Sequence, residues 1–314
     1  MHFTPRKTLS CRTKQQLNLS IEEVNSNIVL PKCQNPIAQL AQKALLKEIF
    51  LTPKPGLVDQ KNNGAHHDMN LVTFLDSIQA ISPWLDQFYS FGQASAFTNA
   101  QEFLGTIRKP GICCEREMCQ ATNGINTHKG MIFAFGLLLS ASGRLNGQSQ
   151  KITAAALSKE VSQMCQDIIN KELQNNNHPH TSGIKQYQQY GLTGARGEAA
   201  SGYQTVTRIS LPHYLKYQNS GCSEEQSLLQ ALLHLMAHNQ DSNIIARGGI
   251  EALRFVQTKA QEILAQGGVL SPAGINKLIE FDQILIQKHL SPGGSADLLA
   301  ITWFLAQIEL GTEI

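Results

Sequence analysis

Five segments of the chain concentrate residue types that hold anions, coordinate hard metal ions and move protons. The first is Thr52-Pro53-Lys54-Pro55-Gly56-Leu57-Val58-Asp59, which runs on through Asn62-Asn63-Gly64-Ala65-His66-His67-Asp68-Met69. Its prolines and glycines stiffen a turn that carries one lysine and two carboxylates. Asp68 also reads as the N-cap of a following helix. The second is Asn123-Gly124-Ile125-Asn126-Thr127-His128-Lys129-Gly130. Lys129 stands against the dipole of the helix it opens, a placement that makes sense if an anion lies between the lysine and the helix start.

The third segment, Thr193-Gly194-Ala195-Arg196-Gly197-Glu198-Ala199, offers a planar guanidinium suited to phosphate. Arg196 and Glu198 also read as an ordinary salt bridge. The fourth joins Asp241-Ser242-Asn243 to Arg247-Gly248-Gly249 and supplies oxygen ligands of the kind Mg2+ prefers. The fifth is His289-Leu290-Ser291-Pro292-Gly293-Gly294-Ser295-Ala296-Asp297. Its Gly293, Gly294 and Ser295 form a nest of backbone N–H groups before a helix, and Asp297 in the first turn also reads as a complement to the helix dipole. Together the segments offer Lys54, Lys129, Arg196 and Arg247 to a polyphosphate. They offer Asp59, Asp68, Glu198, Asp241 and Asp297 to metal and proton transfer. Neither a GxxxxGK[ST] loop nor a GxGxxG fingerprint is present, so the common nucleotide-binding folds are not supported.

The elements that must position these segments read as helices. Asn35-Pro36 is a cap followed by proline at the first helical position, and Ile37, Leu40, Ala41, Ala44, Leu45 and Ile49 recur at helical spacing. Leu71 to Phe88 predicts a second helix, bent or broken at Pro83 and ended by Gly92. Met131 to Ser140 predicts an apolar helix that closes at Gly143, with Gly130, Ala134, Gly136 and Ser140 letting a neighbour approach. Further helices are expected at Leu157–Ile168, Leu228–Met236, Ile275–Leu285 and Ala296–Ile308. With eight valines and no alternating run between hairpin turns, the fold class is all-α, a multi-helix bundle with a single core. Residues 1–34 read as a polar N-terminal extension and 35–314 as one helical domain. The polar run Asn175–His180 is the expected flexible connection.

The formal net charge is +2, so no strong overall field favours nucleic acid or an anionic membrane, and an anionic ligand must be held by local charge. The seven cysteines are odd in number and irregularly spaced, as in a reduced cytoplasmic chain. No secretory signal and no membrane span is expected.

The same residues, TPKPGLVD with NNGAHHDM, then INTHKG, GARGEA, DSN with RGG, and SPGGSADLLA, resemble the triphosphoribosyl-dephospho-CoA synthase family over about residues 37 to 310. The resemblance implies that ATP is attacked at its anomeric carbon by a ribose hydroxyl of 3'-dephospho-CoA. Adenine then leaves through an oxocarbenium-like transition state. It implies Mg2+ with the triphosphate, and ATP and 3'-dephospho-CoA as partners. It also implies a product handed to the holo-acyl-carrier-protein synthase of citrate lyase, with malonate decarboxylase as the other pathway served by such chemistry. Under it, Lys54, Asn126, Lys129, Arg196, Arg247, Gly293, Gly294 and Ser295 bind ATP. Asp59, Asp68 and Asp297 are catalytic, and Glu198 and Asp241 hold the metal. A homo-oligomer is compatible with it. Two other readings stand beside it. One is an all-α metal-dependent phosphohydrolase built on His67-Asp68, which lacks an upstream histidine after His2. The other is a non-catalytic helical protein that binds nucleotide or CoA.

Overall fold

A computed structural model describes residues 30–174 and 182–311. The connection expected at Asn175–His180 and residues 1–29 lie outside them. Among the described residues there are twelve α-helices and no strand.

Helix α1 (Pro36–Phe50) begins as its sequence dictates: the Asn35 side chain accepts from the N–H groups of Ile37 and Ala38 at 2.8 and 3.3 Å. Residues 30–34 are docked rather than free of the bundle. Cys33 is 2% exposed, and the N–H groups of Gln34 and Asn35 both donate to Asp86, each at 2.8 Å.

Helix α2 (Leu71–Ala94) runs unbroken through Pro83, and its cap is Asn70, in a reciprocal box with Thr73, rather than Asp68. Gly92 does not end it. A Cβ there would stand 2.0 Å from the carbonyl oxygen of Ser140 in α4 (Lys129–Gly147), so the glycine exists to let two backbones meet. Gly143, expected as the stop of α4, lies inside that helix for the same reason, with a Cβ 2.0 Å from the carbonyl of Tyr89.

Between them stands α3 (Ala100–Ala121), a helix with no expectation in the sequence. It buries only Phe103, Ile107, Cys114 and Met118, a narrow stripe in an otherwise polar run interrupted by Pro110. The buried pair Arg144–Glu160, at 2.5 Å, joins α4 to α5 (Ala154–Met164), while the same guanidinium donates to the Ser95 and Thr98 carbonyls.

Short α6 (Ser182–Tyr190), α7 (Gly194–Ala200) and α8 (Leu211–Asn219) lead to α9 (Glu224–His238). Helix α10 (Ser242–Ala265) is two helices joined at Gly249, whose φ of 72° is open to glycine and strained for other residues. Helix α11 (Gly274–Gln287) and α12 (Gly293–Glu309) complete the chain. α12 is apolar on nearly every face and packs against α1, α4, α8 and α9, so it forms the axis of one continuous core.

Candidate active site

The turn after α1 is organised around a buried carboxylate. Asp59 accepts from the Thr52 hydroxyl at 2.7 Å and from the N–H groups of Lys54, Lys61 and Asn62 at 3.0, 2.7 and 3.0 Å. Asp282 of α11 holds the same turn from outside, accepting from Gly56 N–H and the Asn62 amide, each at 2.8 Å. Asp59 is thus committed to its own loop. The loop in turn fixes Lys54, which is 1% exposed and ion-paired with Glu48 of α1. A buried lysine needs such a partner, because desolvating an unpaired ammonium is prohibitive.

Lys54 and Glu48 form part of the wall of a cleft of about 250 Å3. Its wall also includes His66, Asn126, His128, Lys129, Gly130, Asn243, Arg247, Ser291, Gly293 and Asp297. Four of the five segments, far apart in sequence, therefore meet in one place. The start of α4 lies in that wall; its N-cap residue His128 makes no side-chain cap bond, and Asn126 Oδ1 accepts from the Lys129 N–H at 3.3 Å, which leaves the N–H groups that follow open to an anion. Arg247 donates to the carbonyls of Ala65 and His289 at 3.0 and 3.1 Å and faces the His66 ring at 3.2 Å, which ties the first, fourth and fifth segments together. Burial, and then the Arg247 charge, hold the His66 ring below its ordinary pKa, so it is neutral.

Asp297 differs from the other carboxylates. It has no hydrogen-bond or ion-pair partner among the described residues, and it rests against the first turn of α4, where a Cβ on Gly130 would come within 2.0 Å of its Oδ2. Burial, together with the charges of Glu48 and Asp241, raises its pKa well above the ordinary carboxylate range.

His128 lies in the second segment, and its residue type alone assigns it no role. Its Nδ1 lies 2.7 Å from Ser77 Oγ, which in turn accepts from Thr127 at 2.7 Å. That chain makes Ser77 the donor to Nδ1 and leaves the ring proton on Nε2, which is buried with no partner. Burial, and then Lys54, depress its pKa to about 3, so the ring is a neutral donor at the cleft wall.

The remaining expected residues lie elsewhere. Asp241, 1% exposed, caps α10 and receives the N–H groups of Asn243 and Ile244 at 3.0 and 3.4 Å. It also receives Gly294 N–H at 3.3 Å and both the N–H and hydroxyl of Ser295 at 2.7 and 2.9 Å. The nest read for phosphate is thus filled by the protein's own carboxylate. A Cβ on Gly293 or Gly294 would crowd Asn243 or Asp241 at 2.8 and 3.1 Å, which explains the glycine pair. Glu198 bonds the Thr205 hydroxyl at 2.5 Å, outside the cleft wall, with its pKa raised by burial. It does not meet Asp241 in a metal site, and no group of three potential ligands occurs among the described residues. Asp68 is exposed, 3.8 Å from His66 Nδ1. His67 is exposed beside His289.

Arg196, of the third segment, lines a second cavity of about 340 Å3 that shares Lys129 and Gly130 with the first. It pairs with Glu172 at 2.7 Å, as Lys129 pairs with Glu115 at 2.5 Å. Glu48, Glu115 and Glu172 carry no motif signal, since each is one polar residue in or beside a helix.

Fold and cleft define an all-helical protein that presents cations, a helix start and one unpaired carboxylate to a single ligand. The chain belongs to the CitG family, described as ATP:dephospho-CoA triphosphoribosyl transferase, which matches residues 34–314. It is 48% identical over 273 residues to a probable 2-(5''-triphosphoribosyl)-3'-dephosphocoenzyme-A synthase of Albidiferax ferrireducens, covering 87% of this chain and 90% of the relative. It is 44% identical over 284 residues to the 2-(5''-triphosphoribosyl)-3'-dephosphocoenzyme-A synthase of Klebsiella pneumoniae, covering 90% and 94%. No solved structure matches the chain. The protein is therefore a transferase whose substrates are ATP and dephospho-CoA. Among the described residues no helix is long and apolar enough to cross a membrane.

Proposed function

We propose that ATP lies in the 250 Å3 cleft with its triphosphate toward Lys54, Lys129, Arg247 and the start of α4, and its ribose beside Asp297. The observation that carries this is the unpaired carboxyl of Asp297 against the first turn of α4, in a cleft otherwise furnished for an anion. Asp297 holds a proton in the resting site. It gives that proton to adenine as the bond from the anomeric carbon to the base breaks. The carboxylate so formed faces the positive charge developing on the ribose. It then takes the proton of the attacking hydroxyl as the new C–O bond forms, so one residue returns to its starting state and no proton is gained or lost. The neutral His128 donates from Nε2 to a ligand oxygen or nitrogen, a bond strengthened by the dry wall around it.

Mg2+ enters in this proposal as the counter-ion of the triphosphate, consistent with its preference for phosphate oxygens and retained waters. It is placed on the phosphate oxygens rather than at Glu198 and Asp241, since Asp241 already receives the N–H groups of two helix starts and Glu198 does not line the cleft. In the cell the product is the precursor of the citrate lyase prosthetic group, made in the cytoplasm and passed to the holo-acyl-carrier-protein synthase.

The test is Arg247→Gln. ATP affinity, measured by calorimetry without acceptor, should fall about tenfold, the loss of one charge-assisted contact. Unchanged affinity would remove the triphosphate from this cleft.

A further inference from the structure

The 340 Å3 cavity lies on the other side of Lys129 and Gly130 from the ATP cleft. It is an apolar trough between α3 and α4, floored by side chains such as Phe88, Ile107, Ile132 and Leu137. Its rim is charged. Arg108 and Arg196 both hold Glu172, the latter at 2.7 Å. Burial pushes the Glu172 carboxyl up, but the two guanidinium groups together outweigh it and hold its pKa below the ordinary range. Arg108 and Ile112 stand 57% and 60% exposed at the rim. An exposed isoleucine beside an exposed arginine, above an apolar floor, suits a ligand that carries an anion at one end and a long arm at the other.

We infer that this trough is the acceptor site, taking dephospho-CoA with its diphosphate at Arg108 and Arg196, its pantetheine arm along the apolar floor, and its reacting ribose hydroxyl at the Lys129–Gly130 boundary. The inference rests on the placement of ATP in the neighbouring cleft. The attacking hydroxyl must come within about 3.5 Å of the anomeric carbon, so the acceptor must occupy a cavity that opens onto the ATP site. The trough does so at Lys129 and Gly130, which line both cavities, and Gly130 lies against Asp297. The diphosphate follows the ribose in the acceptor and the arm follows the diphosphate, and the cations and apolar floor supply partners for both. Glu172 then acts as a placeholder: its two arginines are held extended while the site is empty, and the diphosphate exchanges for it on the guanidinium faces.

Two substitutions test this on the intact protein. Gly111 lines the trough within α3, and a Cβ there meets nothing within 4 Å. Gly111→Leu therefore fills the trough while improving helix propensity. Arg108→Gln removes a rim cation that is already exposed to solvent. Each should raise KM for dephospho-CoA about tenfold or more, and leave the calorimetric Kd for ATP within about twofold of wild type. 4'-Phosphopantetheine should compete with dephospho-CoA on the wild-type enzyme and lose that competition in Gly111→Leu. If the KM for dephospho-CoA stays unchanged in both variants, or if ATP affinity falls in step with it, the trough is not the acceptor site. The Arg247→Gln experiment reads the ATP cleft alone, so failure there is distinguishable from failure here.

Discussion

Asp297 has the environment of a residue retained for chemistry at a cost in stability. Its pKa is raised first by burial and then by Glu48 and Asp241, so the folded protein holds its proton more tightly than the unfolded chain does. A carboxylate with a raised folded pKa contributes stability that is complete below about pH 4 and is lost as pH rises through the folded value. Asp297→Asn removes that dependence. The variant should melt higher than wild type at pH 7, with the difference closing below about pH 4, while adenine release falls by about 10²- to 10⁴-fold. Equal melting temperatures at pH 7 would show that the carboxyl is not held protonated. The sequence puts Asp297 at a helix start without separating catalysis from dipole compensation, because that choice turns on whether a partner is present. By residue type alone Asp59 and Asp68 stand beside it. The difference lies in the donors: Asp59 has four from its own loop, and Asp68 stands in solvent.

At the scale of elements, the α-class and most long helices were legible from apolar spacing and from the Asn35-Pro36 cap. The glycines were the misleading signals. Gly92 and Gly143 read as stops because glycine is common after a helix end, yet each lies mid-helix where α2 and α4 touch backbone to backbone. Helix α3 is not legible in the sequence because its buried stripe is four residues in twenty-two. The clasp between α10 and α12 was legible in composition only: the nest and the aspartate were both seen, but not that one fills the other. Asp241→Ala should leave the donors at two helix starts without an acceptor. Stability should fall by about 3 kcal/mol or more, seen as a lower urea midpoint at unchanged slope. A loss under about 1 kcal/mol would mean that the clasp is not what fixes these helices, since a single exposed cap is worth that much.

For the whole molecule, the net charge of +2 gives little long-range pull on a polyanion, so affinity must come from the cleft itself. The cleft draws on the turn after α1, the start of α4, the start of α10 and the start of α12. Any ligand that spans it ties together segments some 240 residues apart, Lys54 to Asp297, across one core. ATP at a hundred times its Kd should then stabilise the native state by about 2.7 kcal/mol. For a chain of this size that is a rise of about 5 °C in a single melting transition. Arg247→Gln at the same ATP concentration, binding about tenfold more weakly, should show roughly half that rise, since the stabilisation depends on the logarithm of ligand over Kd. Two transitions, with ATP moving only one, would show that the chain does not melt as one body. The cleft would then belong to part of the helices rather than to the packed whole around α12.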